Sequence, residues 1–200
     1  MATDIEYMVR AIRLARKGLY TAHPNPRVGC VIVNNGDIVG EGFHEKAGGP
    51  HAEIVALKQA KKQSQGAVVY VTLEPCCHKG KTGPCTDALI KAGVSKVVIG
   101  AVDPNPKVAG GGMEALKAAG IEVTQGVLEA QAEALNPGFN MRMRHKRPFI
   151  RCKLAMSLDG RTAMESGESK WISGEHARRD VHHLRGQSDA IISGISTVLT

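Results

Sequence analysis

The sequence predicts an α/β fold in which helices cover both faces of a β-sheet. After residue 50, apolar strand-like runs alternate with helical patterns, and this succession implies right-handed crossover connections. Before residue 50, two apolar runs flank the turn signal NNGD at 34–37, which predicts an antiparallel hairpin. Hydrophobic residues make up 42% and charged residues 22% of the chain, a composition typical of a folded globular protein.

The elements follow from hydrophobic periodicity and from turn residues. Proline and glycine at 136–138 should break the long helical pattern near the middle of the chain, because proline cannot continue a helix hydrogen-bond ladder. In chain order we expect a helix over 4–19, strands over 28–33 and 38–43, a helix over 51–63, a strand over 67–73, a polar loop over 74–85, a helix over 86–92, a strand over 94–102, a loop and helix over 108–120, a strand over 121–124, helix over 127–145, a strand over 149–155, a helix over 174–186 and a strand over 190–193.

Charge and element order together predict two domains, 1–146 and 147–200. The net charge is +7, and the run 141–153 alone contributes +6, so the basic character is typical of a helix end and linker. The segment after this run holds too few elements for a core of its own, and we expect it to be the incomplete start of a second domain.

Composition argues against several classes of protein. Aromatic residues are 4% of the chain, too few for a base-stacking nucleic-acid surface. No apolar run approaches the roughly 18 residues of a membrane span, and the acidic Asp4 and Glu6 do not suit a signal peptide, so we expect a cytoplasmic protein. An odd set of five cysteines with uneven spacing argues against a disulfide framework.

Three short motifs point to a zinc site. His51 and Glu53 open a predicted helix, Cys76 follows a predicted strand in the order Glu-Pro-Cys-Cys, and Cys85 closes the loop. This His-x-Glu and Pro-Cys pattern is the signature of zinc nucleobase deaminases. One imidazole and two thiolates leave a coordination position on zinc for water, and Glu53 can carry its proton.

Two other interpretations of these residues stay open. The zinc site could be closed by a fourth protein ligand from Cys77, His78 or His44, or the cysteines could be reduced core residues. Lys81 and Thr82 lie between glycines in the eight-residue loop from Cys76 to Cys85 and suit a phosphate, although a lone loop lysine is often simply solvated.

Six short stretches together match the pattern of a known family. They are residues 23–29 (HPNPRVG), 51–53 (HAE), 72–85 (TLEPCCHKGKTGPC), 103–106 (DPNP), 157–160 (SLDG) and 167–172 (GESKWI). Through them the chain resembles, along essentially its whole length, the bacterial bifunctional deaminase/reductases of riboflavin biosynthesis. It departs from the usual family pattern at Gly83, where proline is common, and at Cys77, where serine is frequent.

The resemblance implies a cytidine-deaminase-like three-layer α/β/α domain with a mixed sheet. It would bind Zn²⁺ through His51, Cys76 and Cys85, use Glu53 as proton carrier, and deaminate 2,5-diamino-6-(ribosylamino)-4(3H)-pyrimidinone 5′-phosphate. Positions that would surround this phosphorylated aminopyrimidine are Asn25, His44, His78, Lys81, Thr82 and Asn105. The family also tends to form homo-oligomers.

For the second domain, the resemblance implies the start of a dihydrofolate-reductase-like α/β fold that uses NADPH to reduce the ribosyl group. Ala155, Trp171 and Thr197 match cofactor positions, and Ser169 and Arg185 match substrate positions. We expect reductase activity only if the chain continues beyond residue 200. The competing functions are a tRNA or nucleoside deaminase and a zinc-stabilised binding module without catalysis; nothing in the sequence assigns roles to Cys30, Cys77 or Cys152.

Overall fold

The structure, a computed structural model, describes residues 3–78, 83–106, 108–195 and 199. The chain divides into two compact units, Met1–Phe149 and Ile150–Thr200.

The first unit is built on a mixed five-stranded sheet in the order β2-β1-β3-β4-β5. Strand β1 pairs antiparallel with both β2 and β3, whereas β3, β4 and β5 run parallel. The mixed-sheet α/β prediction is therefore confirmed. The strands are β1 Gly29–Asn34, β2 Asp37–Phe43, β3 Val68–Leu73, β4 Lys96–Ala101 and β5 Glu122–Gln125.

Six α-helices are described in this unit, and they cover both faces of the sheet. One core cluster joins the sheet to α2, α3 and α4, while the other joins it to α1 and to apolar residues flanking α5. The helices are α1 Asp4–Arg16, α2 Ala52–Ala60, α3 Cys85–Lys91, α4 Gly111–Ala118, α5 Glu129–Glu133 and α6 Pro137–His145, and a 3₁₀ turn, Lys61–Ser64, follows α2.

The packing of helices on both faces of strand β1 explains why its sequence is continuously apolar rather than alternating. Cys30 and Ile32 face the core beneath α2, and Val31 and Val33 face the core beneath α1. Because successive side chains of a strand point to opposite faces, a strand covered on both sides needs apolar residues at every position.

Two glycines bring α2 close to the sheet. A Cβ atom on Gly40 or Gly42 of β2 would lie 2.3 Å from a carbonyl oxygen of α2, that of Ala56 or Ala52 respectively. Larger residues would therefore push the helix away. Since His51 and Glu53 sit at the start of α2, this close packing also fixes their position over the ends of the strands.

Turns and breaks lie close to where the sequence places them. Asn35 and Gly36 have positive φ values of 52° and 89°, as a two-residue hairpin turn requires. The expected break at 136–138 is confirmed, with Pro137 as the first residue of α6. Helix α1 ends at Arg16, three residues earlier than predicted.

The second unit has one described helix, α7 Glu175–Gly186, which confirms the helix predicted over 174–186. The strands predicted over 149–155 and 190–193 are wrong: the structure gives neither segment strand pairing. A strand forms only when its backbone groups meet those of a partner, and among residues 150–195 no such partner is present. No residue described in this unit is buried.

No helix in the described part of the chain is both long and apolar enough to cross a bilayer.

Candidate active site

Three potential metal ligands meet at the ends of three elements of the first unit. His51 caps α2, Cys76 lies just after β3, and Cys85 is the first residue of α3. Their ligand atoms all lie within 4.8 Å of one another. The Nδ1 atom of His51 is 3.2 Å from Sγ of Cys85 and 3.5 Å from Sγ of Cys76. Residues 34 positions apart in sequence thus form one compact donor set.

This donor set fits zinc. Tetrahedral zinc with Zn–S bonds near 2.3 Å and Zn–N bonds near 2.0 Å separates its ligand atoms by roughly 3.5–3.8 Å, close to the spacings observed. Among the described residues, the cluster has no fourth protein member, so neither Cys77, His78 nor His44 closes it. Three protein ligands are the usual number in catalytic zinc sites, whereas structural sites have four.

The site favours a thiolate. Hydrogen bonds from Cys85 and from His51 lower the pKa of Cys76 to about 4, although burial opposes this shift. The same contact with Cys76, together with burial, raises the pKa of Cys85, so the thiol pair retains one proton. The hydrogen bond to Cys76 also raises the pKa of His51. Metal binding would displace these protons, because zinc takes thiolate and neutral imidazole ligands.

Glu53 is buried beside this cluster without belonging to it. Its side chain is in α2, with 3% of the residue exposed, and burial raises the pKa of its carboxyl group. Contacts with His51 and the Cys85 thiol partly oppose that shift. A carboxyl group whose pKa is moved toward neutrality, next to a metal but not bound to it, suits a proton carrier.

Asn25 and His44 lie together next to the ligands. Asn25 Nδ2 is 3.0 Å from His44 Nε2, and His44 Nδ1 is 3.0 Å from the carbonyl oxygen of Pro50. The rings of His44 and His51 meet edge to face, with centroids 5.4 Å apart. Burial lowers the pKa of His44, which therefore favours the neutral imidazole. Both ring nitrogens of His44 are thus engaged within the protein.

The remaining predicted substrate positions are described only in part. The backbone N–H of Asn105 donates to Asp103 Oδ1 at 2.8 Å, and His78 is exposed near the same carboxylate. Burial raises the pKa of Asp103 to about 6. Lys81 and Thr82 lie outside the described residues.

Sequence reasoning missed a structural role for Glu74. This carboxylate is 3% exposed and accepts four backbone N–H groups: those of Asp103 and Gly110 at 3.2 and 3.1 Å, and those of Gly112 and Met113 at 2.9 and 3.2 Å. It therefore ties the segment that carries Cys76 to the segment that carries Asn105 and to the start of α4. The sequence signal was an ionisable residue at the end of a buried strand.

Asn136 was also missed, because its sequence context indicated only a helix break. Its side chain accepts from Arg27 N at 2.7 Å and donates to Arg27 O at 3.0 Å, across 109 residues of sequence. Asn136 is buried, and Arg27 lies two residues after Asn25. This paired hydrogen bond holds the loop that presents Asn25. No signal in a single sequence points to it.

In the second unit, four of the predicted reductase positions line one open groove of about 590 Å³. Arg178 stacks over the ring of Trp171 at 4.3 Å and donates to the carbonyl oxygen of Ser173. Thr197 lies outside the described residues. The groove is lined by Lys153, Ala155, Ser169, Lys170, Trp171, Ile172, Ser173, Arg178, Val181, His182 and Arg185.

A known protein family matches residues of the first unit. Residues 1–101, half of the chain, match the model of the cytidine and deoxycytidylate deaminase zinc-binding region. The chain belongs to the cytidine and deoxycytidylate deaminase family. Residues 148–200 match a second model, the RibD C-terminal domain. The deaminase-like fold and the start of a reductase-type domain, both implied by the resemblance, are thereby confirmed.

The chain is also similar to proteins of riboflavin biosynthesis. It is 58% identical over 196 residues to the riboflavin biosynthesis protein RibD of Escherichia coli strain K12, covering 98% of this chain and 53% of the relative. It superposes on Acinetobacter baumannii RibD with a TM-score of 0.92 at 58% identity, covering 98% of this chain and 55% of that structure.

A third similar protein is the diaminohydroxyphosphoribosylaminopyrimidine deaminase/5-amino-6-(5-phosphoribosylamino)uracil reductase of Thermotoga maritima. The TM-score is 0.91 at 47% identity, over 98% of this chain and 56% of that structure. The resemblance to the bifunctional deaminase/reductases is thus confirmed. The chain spans about half the length of the curated relatives it matches.

Proposed function

We propose that the first unit catalyses the zinc-dependent hydrolytic deamination of 2,5-diamino-6-(ribosylamino)-4(3H)-pyrimidinone 5′-phosphate. The observation that carries this proposal is the cluster of His51, Cys76 and Cys85 with Glu53 buried beside it. The substrate is the one that the name of the similar Thermotoga maritima deaminase/reductase indicates.

The roles of the residues follow from their chemistry. His51, Cys76 and Cys85 would hold Zn²⁺, which when bound activates water as a Lewis acid. Glu53 accepts a proton from the attacking water and delivers it to the departing amino group, so that ammonia leaves and a carbonyl replaces the amine. Glu53 is suited to this role by its place beside the three ligands, where 3% of the residue is exposed.

Substrate recognition would fall to residues around the cluster. We assign Asn25, His78 and Asn105 to the base and sugar, and Lys81 and Thr82 to the phosphate. His44 belongs to the same set of proposed substrate positions. The tie between Glu74 and the 103–113 segment favours the assignment of Asn105, because it holds that segment against the one carrying Cys76.

The second unit would contribute to a reductase domain, with a domain boundary at 146/147. We propose that Ala155, Trp171 and Thr197 face NADPH, and that Ser169 and Arg185 face the ribosyl phosphate. The shared groove supports this grouping for the four described residues. Because no described residue of this unit is buried, we expect no NADPH turnover by the 200-residue chain. Robust turnover would contradict this expectation.

The oligomeric state and the cellular location are a further part of the proposal. The resemblance supports a homo-oligomer in the cytoplasm that acts on a small molecule rather than on nucleic acid. Light scattering of the purified chain measures its oligomeric state directly. A molecular mass of one chain across the micromolar concentration range would contradict it.

A direct substrate comparison tests the proposed activity. The zinc-loaded chain is incubated separately with the aminopyrimidinone phosphate, with cytidine and with tRNA, and ammonia release is measured. We expect turnover of the first compound only. Turnover of tRNA would favour an editing enzyme, the function to which the basic run 141–153 would then belong. Zinc binding without turnover of any of the three would favour a binding module.

A further inference from the structure

The two carboxylate oxygens of Glu74 bind different parts of the chain. Oε2 accepts the backbone N–H groups of Asp103 at 3.2 Å and Gly110 at 3.1 Å, which lie at the two ends of the connection between β4 and α4. Oε1 accepts the N–H groups of Gly112 at 2.9 Å and Met113 at 3.2 Å, in the first turn of α4. One oxygen therefore closes the connection, and the other caps the helix that follows it.

These four contacts use the full acceptor capacity of Glu74. A carboxylate offers about four lone-pair sites on its two oxygens, and four backbone donors meet them here. Because the residue is 3% exposed, a donor that lost its place on the carboxylate would not be compensated readily by bulk water. Glu74 therefore acts through the segments that it holds and not by contact with a substrate.

The start of α4 lies directly against the segment that carries Cys76. A Cβ atom on Gly112 would lie 2.2 Å from the carbonyl oxygen of Pro75, and one on Gly111 would lie 3.0 Å from Sγ of Cys77. Glycine at these two positions thus allows the helix to approach both neighbours of a candidate zinc ligand. The end of the connection that Oε1 fixes is therefore next to the candidate zinc site.

The other end of the connection carries Asn105. Its backbone N–H donates to Asp103 Oδ1 at 2.8 Å, and its carbonyl oxygen accepts the N–H groups of Val108 at 2.8 Å and Ala109 at 2.9 Å. The main chain of Asn105 is thus bonded toward both ends of the connection. Since Oε2 of Glu74 brings those two ends together, the position of Asn105 depends on this single oxygen.

We propose that Glu74 is a positioning residue that sets substrate affinity. It holds the connection between β4 and α4, and with it Asn105, against the segment that carries Cys76. It neither touches the substrate nor binds the metal. This role rests on the proposed function, because only there is Asn105 assigned to the substrate. Breaking the contacts of Glu74 should therefore weaken substrate binding and leave zinc in place.

Amide hydrogen exchange, resolved by residue with NMR, tests the hydrogen bonds without any substrate. In the zinc-loaded chain, the amides of Asp103, Gly110, Gly112 and Met113 should exchange slowly. Glu74→Gln offers one acceptor oxygen and one donor group, so at least two of the four amides should exchange about tenfold faster or more. Amides of β4 should keep their rates.

Three exchange results would overturn the proposal. They are fast exchange at all four amides in the unaltered chain, equal rates in Glu74→Gln, and an equal acceleration within β4, which would indicate loosening of the whole unit. None of these results depends on the identity of the substrate.

Steady-state kinetics with the aminopyrimidinone phosphate test the effect on affinity. We expect Glu74→Gln to raise KM about tenfold, the effect of losing one hydrogen bond to a charged group, with kcat within about threefold of wild type and zinc content unchanged. Loss of zinc, or a fall in kcat at unchanged KM, would overturn the proposal. If the unaltered chain releases no ammonia from this compound, the proposed function fails, and the exchange rates alone decide whether Glu74 holds the connection.

Two glycines at opposite ends of α4 provide a matched pair that leaves Glu74 intact. Gly110 and Gly120 have φ values of 82° and 80°, and a Cβ atom on either would meet no described atom within 4 Å. Alanine therefore strains the backbone equally at both positions. The N–H of Gly110 donates to Glu74, whereas that of Gly120 donates to the carbonyl oxygen of Lys117 at 2.9 Å.

We expect Gly110→Ala to raise KM about three- to fivefold, because the strain opposes the conformation that presents its N–H to Oε2. Gly120→Ala should leave KM unchanged, although both variants should lower the melting temperature. Equal KM values for the two variants would contradict the proposed role. This comparison also decides if Glu74→Gln fails to fold, as judged by circular dichroism.

Discussion

The two units of this chain show similar apolar patterns with opposite structural outcomes. In the first unit, Val31 and Ile32 of β1 are fully buried between two strands and two layers of helices. In the second, Leu158 and Ile192 are almost completely exposed, and the apolar run at 190–193 is not a strand. Apolar patterning thus predicts where a strand could form, whereas pairing and packing partners decide whether it does.

The candidate functional sites of the two units differ in the same way as their packing does. The candidate zinc ligands and Glu53 are held by buried elements, because α2 and α3 pack on the sheet through Ala56 and Leu89. The groove of the second unit is formed by residues of loops and one helix, and none of them is buried. A site on a packed scaffold keeps its geometry without ligand, and we expect the chemistry of this chain to reside in the first unit.

The largest effect, on zinc affinity, should come from replacing one of the candidate zinc-binding side chains. Cys85→Ser replaces a thiolate by a hydroxyl that binds zinc poorly, and we expect zinc affinity to fall more than about 100-fold, beyond the usual effect of changing a residue that only supports a ligand. Metal content after dialysis against a weak chelator measures this. Cys77→Ser is the matched control, since Cys77 lies outside the cluster and should retain zinc. Loss of zinc from Cys77→Ser alone would reverse the ligand assignment.

Leucine truncation compares the two units directly. Leu89→Ala removes a fully buried side chain from the core under α3 and should lower the free energy of unfolding by about 2–5 kcal/mol. Leu158→Ala, at a fully exposed position, should change it by less than about 0.5 kcal/mol.

Chemical denaturation followed by far-ultraviolet circular dichroism is the suitable measurement, because the single tryptophan, Trp171, reports only on the second unit. If the two substitutions lowered the free energy of unfolding by similar amounts, the second unit would have a core of its own.

A smaller, pH-dependent effect on the stability of the folded state should come from Asp103. Its pKa is raised by burial from 3.8 to about 6, so the folded state binds this proton more tightly than the unfolded chain does. Its stabilising contribution is complete below about pH 4 and is lost as the pH rises through about 6. Asp103→Asn keeps an oxygen to accept from Asn105 N but cannot ionise.

We therefore expect Asp103→Asn to raise the melting temperature relative to wild type at pH 8, and to have little effect at pH 4. Thermal unfolding at both pH values checks this expectation. A variant that is stabilised equally at both values would show that ionisation of Asp103 is not the cause.

The cluster of candidate zinc ligands could be predicted from sequence because residue type and spacing carry the chemistry. His51, Cys76 and Cys85 are rare side chains in a recognisable order, and the structure brings them together. Strand β1 was equally predictable, since a continuous apolar run beside a turn signal has few other interpretations.

Residues whose partners are distant backbone groups could not be predicted. Glu74 bonds to N–H groups 29 to 39 positions away, and Asn136 bonds to one 109 positions away. Any backbone offers such groups, so the pairing depends only on the folded arrangement.

Replacement of Glu53 tests the central claim most directly. Glu53→Gln preserves the size of the side chain but cannot transfer a proton, and ammonia release from the aminopyrimidinone phosphate is measured alongside zinc content. Glu45→Gln, at an exposed position, is the control. We predict that Glu53→Gln keeps its zinc and loses more than about 100-fold in kcat. Activity within about tenfold of wild type, with zinc still bound, would contradict the assignment of Glu53 as the proton carrier.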